Sequence, residues 1–175
     1  TGLHMDYEGY KHYYSVLFPN EHVEVNAFPF PLPEVDIEGN NTYLGDLADN
    51  GKIRAMMSVR PEWSVEYCEK QWEQHKFVGV KPYPYLAARE KGADISIFDF
   101  MPHHQLEFMN QKKTALTLHL PRHGRLPHPD NVKELLEIRD KYPEIKVILA
   151  HFGRCFNKEY FIRAMKALGE YRNEF

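Results

Sequence analysis

Two histidines hold the most readable chemistry in this sequence. His119 stands at the end of the apolar run TALTLHL (114–120), and His151 closes KVILAH (146–151). A neutral imidazole is a good ligand for zinc and similar divalent metals. A catalytic metal site needs about three protein ligands and an open position for water. There the bound metal lowers the pKa of its water toward ~7, giving hydroxide at neutral pH. A further run, FVGVK (77–81), ends in Lys81. Lys81 has three readings: a contact to an anionic substrate group, a carboxylated lysine bridging two metals, or a salt bridge without chemistry. Arg122, Arg125 and Arg154 follow the two histidines closely. A guanidinium can clamp a carboxylate with two parallel hydrogen bonds, so Arg122 and Arg154 are the candidates for substrate binding. The bland counterpart is a polar strand end followed by solvated loop arginines.

The elements that must position these residues are five short β-type runs: 22–28 (HVEVNAF), 53–59 (IRAMMSV), 77–81, 114–120 and 146–151. Compact apolar blocks of this kind suit strands buried on both faces. Helical patterns lie between them. Ser64 can cap a helix carrying Val65, Cys68 and Trp72 on one face. Val132, Leu135, Leu136 and Ile138 line another after Pro129. Asn157 can cap a third with Tyr160, Phe161, Ala164, Met165 and Leu168 inward and Gly169 at its end. Segments 6–17, 37–49 and 102–112 also read as helices, the first packing Tyr7, Tyr10, Tyr13 and Tyr14 inward. Strand–helix alternation implies parallel strands with right-handed crossovers. The fold class is α/β: a partial (β/α)8 barrel, or alternatively an open doubly wound sheet. In either, the active site lies at the carboxyl ends of the strands. Lys81, His119 and His151 fall at those ends of three consecutive runs.

Composition excludes several classes. The net charge is −3, whereas nucleic-acid binders usually show a basic surplus. No run approaches the ~20 apolar residues that span a bilayer. The two cysteines, Cys68 and Cys155, form neither a metal-type pair nor a disulfide framework, so a reducing cytoplasm is the default location. Phosphate loops, GxSxG elbows and HExxH helices are absent. A nucleophilic role for Cys155 stays open, but the sequence shows no activation of its thiol.

The segments FVGVKPYPYL (77–86), LTLHLPRHGRLPHPDNVKELLEIRDKYPEIKVILAHFGR (116–154) and CFNKEYFIRAMKAL (155–168) resemble the amidohydrolase-related family, metal-dependent hydrolases and decarboxylases of TIM-barrel fold. The resemblance extends back through FPFPLPEVDIEGNNTYLGDLA (28–48) and SVRPEW (58–63). It implies that His119 and His151 are the metal ligands ending the family's fifth and sixth strands. Lys81 then matches the fourth, where some members of the wider superfamily hold a carboxylated lysine. The family's His-x-His pair of strand one and its acid/base Asp of strand eight have no counterpart here. The expectation is therefore a single incomplete barrel domain over 1–175, without the first strand and the last two βα units.

The expected function is that of a metal-dependent hydrolase. One divalent metal, most readily zinc, activates water to cleave a C–N or C–O bond of a small anionic substrate. Decarboxylation within the same family and a non-catalytic binding domain on the same scaffold are the alternatives. The expected partner is a small molecule, with neither nucleic acid nor membrane, and a homo-oligomer is open.

Overall fold

A computed structural model describes residues 6–30, 32, 34–87 and 94–170, with Leu168 and Glu170 described by their backbone. Five strands form one parallel sheet in the order β1-β2-β3-β4-β5: β1 (Asn26–Ala27), β2 (Arg54–Met57), β3 (Phe77–Val80), β4 (Ala115–Leu118) and β5 (Lys146–Leu149). Each strand neighbours the one before it. A doubly wound sheet reverses its strand order at a switch point, so this monotonic order excludes that alternative and matches an arc of a barrel. The strands are shorter than the apolar runs. The first run, 22–28, pairs at Asn26 and Ala27 alone.

The helices between the strands follow their start signals. Asp6 caps α1 (Tyr7–Leu17) and Asp36 caps α2 (Ile37–Asp49), each accepting from the amide three residues on. Ser64 caps α3 (Val65–Gln74) by accepting from Tyr67 N at 3.2 Å. A capping box of Ser96 and Asp99 starts the short α4 (Ile97–Phe100), which the sequence reading lacked. α5 (His103–Lys112) and α6 (Pro129–Lys141) follow, the latter with Pro129 in its first turn. α8 (Lys158–Glu170) begins where Asn157 Oδ1 accepts from Tyr160 N at 2.9 Å. Among the described residues no helix is long and apolar enough to cross a membrane.

The core lies between the sheet and its helices. Ala55, Met57 and Val80 from the strands meet Ile37, Cys68, Leu106, Leu135 and Ile138 from the helices, all of them buried. Leu116 and Leu118 point to this helix side, while Ala115 and Thr117 face the more open side of the sheet. β3 and β4 pass close together at Gly79, where a Cβ would sit 2.6 Å from Ala115 O. Glycine at this point lets β3 and β4 run close together just before Lys81.

Two helices differ from the expected packing. α1 buries no residue, and Tyr13 is 57% exposed, so its tyrosines stack on one another rather than enter the core. On α8, Ala164 is buried, but Phe161 and Met165 are 42% and 47% exposed. The side chain of Leu168, also expected inward, lies outside the described residues. Gly169 does not end the helix, which continues to Glu170. β5 is likewise open, with Ile148 49% exposed.

Candidate functional site at the strand ends

The register explains how Lys81 and His119 come to share a face. Val80 pairs with Leu116, which sets Lys81 opposite Thr117, and His119 lies two residues beyond on the same face. His151 requires a different device. Leu118 pairs with Leu149, so a strand continued through His151 would send its ring to the opposite face from His119. Instead the chain winds left-handed through a four-residue turn, α7 (His151–Arg154), with φ of 51°, 55°, 63° and 63°. The turn brings the two imidazoles together, with ring centroids 5.2 Å apart.

Three of these four residues are not glycine, and L-residues pay roughly 1–2 kcal/mol each in this region. Tertiary contacts hold the turn. Gly153 O accepts from Leu126 N at 3.2 Å, and Arg154 Nη1 donates to Leu120 O at 2.9 Å. Gly153 has no room for a side chain, since a Cβ there would meet Leu126 at 2.8 Å.

The rim around His119 is positively charged. Lys81 is 2% exposed, and its ammonium lies 5.1 Å from the ring centre of Tyr83 and 5.5 Å from that of Phe28. It has neither a hydrogen bond nor an ion pair among the described residues, and burial lowers its pKa to about 8. His119 is pushed down to about 4, first by burial and then by Arg154, Lys81, His151 and Arg125. It is therefore neutral at pH 7, with a lone pair to give. Among the described residues its Nδ1 is buried without a partner, as is Nε of Arg154. Burial raises the Cys155 thiol above its ordinary value, the reverse of nucleophile activation.

The structure takes Arg122 elsewhere. Its Nη2 and Nη1 donate to the two oxygens of Glu134 at 2.6 and 2.9 Å, and Nη1 also reaches Asn131 Oδ1 at 2.6 Å. Glu134 further accepts from Ser96 Oγ and Ile97 N, at 2.9 and 2.8 Å. The side chain read as a substrate clamp thus has both terminal nitrogens spent inside the fold, where it ties the loop after β4 to α4 and α6. Lys81, His119, His151 and Arg154 converge; Arg122 does not join them.

Sequence reasoning also missed the amides that hold the strand ends. Asn41, fully buried on α2, donates to Ser58 O and accepts from Ser58 N, both at 2.9 Å. Ser58 Oγ then donates to Lys81 O at 3.0 Å. Gln105 donates to Arg60 O and Trp63 O, and Asn131 to Pro121 O and Arg125 O. Their signal is a polar residue on the core-facing side of a helix, Asn41 lying one turn after the buried Ile37.

A second group of metal-type side chains, Asp46, Asp49 and His75, has ligand atoms within 4.8 Å of one another. It lies at the amino end of β3, across the sheet from the rim. Asp49 accepts from Lys76 N at 2.8 Å and meets His75 Nδ1 at 2.9 Å. These contacts tether the helix ends to the start of the strand.

No family model matches the chain, and no curated protein matches it in sequence. Among solved structures, dihydroorotase from Saccharomyces cerevisiae, in complex with 5-fluoroorotic acid, is similar in fold. The similarity has a TM-score of 0.51 at 17% identity and covers 86% of this chain and 44% of that one. The chain thus spans less than half the length of that enzyme, and the likeness is one of fold.

Proposed function

We propose that this chain forms part of a metal-dependent hydrolase acting on a small anionic substrate. The observation that carries this reading is the pairing of His119 and His151, whose rings lie 5.2 Å apart beyond neighbouring parallel strands. The fold likeness to dihydroorotase, a hydrolase by name, supports it.

The donor set fits two positions of a divalent metal such as zinc. His119 is held neutral, and its buried Nδ1 lacks a partner among the described residues. Such a metal, when bound, supplies an activated water for attack on a C–N or C–O bond. The chain's own groups do the rest. Lys81 and Arg154 draw in the anionic part of the substrate and fix its orientation. Tyr83, a buried phenol held protonated with its pKa near 12, and the part-exposed Phe28 set their rings beside the Lys81 ammonium.

The test is metal titration of the 175-residue chain with zinc and with cobalt(II), whose absorption bands report imidazole coordination. His119→Ala and His151→Ala should each abolish the bands and weaken binding by well over tenfold. Changes merely behind a ligand already cost ~10–100-fold. Unchanged affinity in the double variant refutes the assignment.

A further inference from the structure

Away from the rim, at the amino end of β3, Asp46, Asp49 and His75 offer two carboxylates and an imidazole, with donor atoms within 4.8 Å of one another. Packing fixes His75. Its side chain is 9% exposed, and Gly45 leaves out the side chain whose Cβ would strike the ring. Nδ1 faces the last turn of α2, 2.9 Å from Asp49 Oδ2 and 3.8 Å from Asp46 Oδ1. A proton on Nδ1 bonds to Asp49, while Asp46 stands beyond hydrogen-bond reach of the same nitrogen.

A tether between helix and strand needs Asp49 alone, which also accepts from Lys76 N at 2.8 Å. The second carboxylate is surplus to that tether. Both lie in the last turn of α2, which has no basic residue. There the helix end carries negative partial charge and disfavours anions. Lys76 Nζ offsets part of this by reaching Asp49 O at 3.4 Å. Asp49 is ionised all the same, its carboxyl held below its ordinary value first by the hydrogen bond from His75 and then by the Lys76 amide. Two carboxylates beside a buried imidazole, at the negative end of a helix, make a place for a cation. A proton joins one carboxylate to the ring, whereas a divalent ion at roughly 2.0–2.2 Å from each donor joins all three. The donors also select the ion. Magnesium and calcium take oxygen ligands, soft ions take thiolate, and manganese(II) accepts carboxylate and water and tolerates imidazole. Asp46, 66% exposed, leaves the outer side open for waters to complete the shell.

We propose that Asp46, Asp49 and His75 form a divalent-metal site of the manganese(II) type that clamps the end of α2 to the start of β3. It is distinct from the His119–His151 pair and does not depend on the hydrolase reading.

The experiment is manganese(II) titration of the 175-residue chain, followed by loss of the free ion's paramagnetic resonance signal. It is run on the wild type and on the double variant His119→Ala, His151→Ala, which removes the rim pair. The double variant should still bind one ion, and excess magnesium should not displace it. Asp46→Asn, made in both backgrounds, leaves the Asp49 tether intact at an exposed position. It should nevertheless weaken binding at this site by about tenfold or more, since even the supports behind a ligand act on that scale. Asp49→Asn should weaken it at least as much, and Asp46→Asn serves alone if that variant fails to fold. Manganese should raise the thermal unfolding midpoint of the double variant and leave its Asp46→Asn derivative unmoved. The inference is overturned if the double variant binds no manganese, if Asp46→Asn does not weaken binding there, or if magnesium competes equally. A pure His75–Asp49 tether predicts no effect of Asp46→Asn on either measurement.

Discussion

Replacing Lys81 with methionine should make the protein more stable, and by an amount that depends on pH. Burial lowers the ammonium's pKa from 10.5 to about 8. At ~1.36 kcal/mol for each pH unit between the two values, folding with Lys81 charged costs on the order of 3 kcal/mol below pH 8. The rings of Tyr83 and Phe28 return ~1 kcal/mol through cation–π attraction, leaving a net cost of about 2 kcal/mol. The sign follows from proton counting. Between about pH 8 and 10.5 the unfolded chain holds a proton that the fold has released, so stability rises with pH across that window. Methionine keeps the stem's volume and carries no charge. Urea unfolding of both proteins should therefore show Lys81→Met ahead by about 2–3 kcal/mol at neutral pH, the gap closing by about pH 10.5. Tyr83, with its pKa near 12, stays protonated throughout and does not blur the comparison. A variant less stable at neutral pH, or a gap that does not change with pH, would refute the picture of an uncompensated buried ammonium.

Two more substitutions test the supports of the rim. Gly153→Ala should cost about 2–4 kcal/mol, from left-handed backbone strain plus the clash with Leu126, and should weaken zinc binding by displacing His151. A loss under ~1 kcal/mol would mean that the turn is softer than described. Glu134→Ala should destabilise by ~3 kcal/mol because it strands the Arg122 guanidinium, whose side chain is 10% exposed. The double variant Arg122→Met, Glu134→Leu should recover most of that loss in the same denaturation assay, and a strictly additive result would contradict the pair's coupling.

Much of the frame was legible. The alternation of apolar runs with capped helical stripes identified the five strands, the bounds of α1, α2 and α5 to within a residue and the starts of α3 and α6, because burial on two faces and the side-chain caps leave local marks. Lys81 and His119 were placed at the carboxyl ends of their strands because each closes an apolar run, while their shared face came from the register. The device that brings His151 to them left no such mark. A left-handed path through His151, Phe152 and Arg154 runs against local preference and is imposed by tertiary contacts to Leu120 and Leu126. Arg122 was misread for a related reason: its sequence neighbours resemble an open loop, while its partner Glu134 lies one helix turn into α6. The open surfaces of β5 and α8 were missed because an apolar stripe shows which face seeks burial and nothing about what is there to cover it.

The amides behind the rim have a consequence of their own. Where parallel strands run out into loops, backbone groups lose the neighbouring strand that would otherwise bond them. Asn41 imitates that neighbour, returning one donor and one acceptor to Ser58 as a strand residue would. Gln105 and Asn131 cover carbonyls farther along the same edge. The mouth of the sheet is therefore shaped from behind, by side chains of α2, α5 and α6. Loops in front could change in length or composition while the spacing between Lys81 and the imidazoles stayed fixed, which makes the scaffold a mould whose fittings are exchangeable.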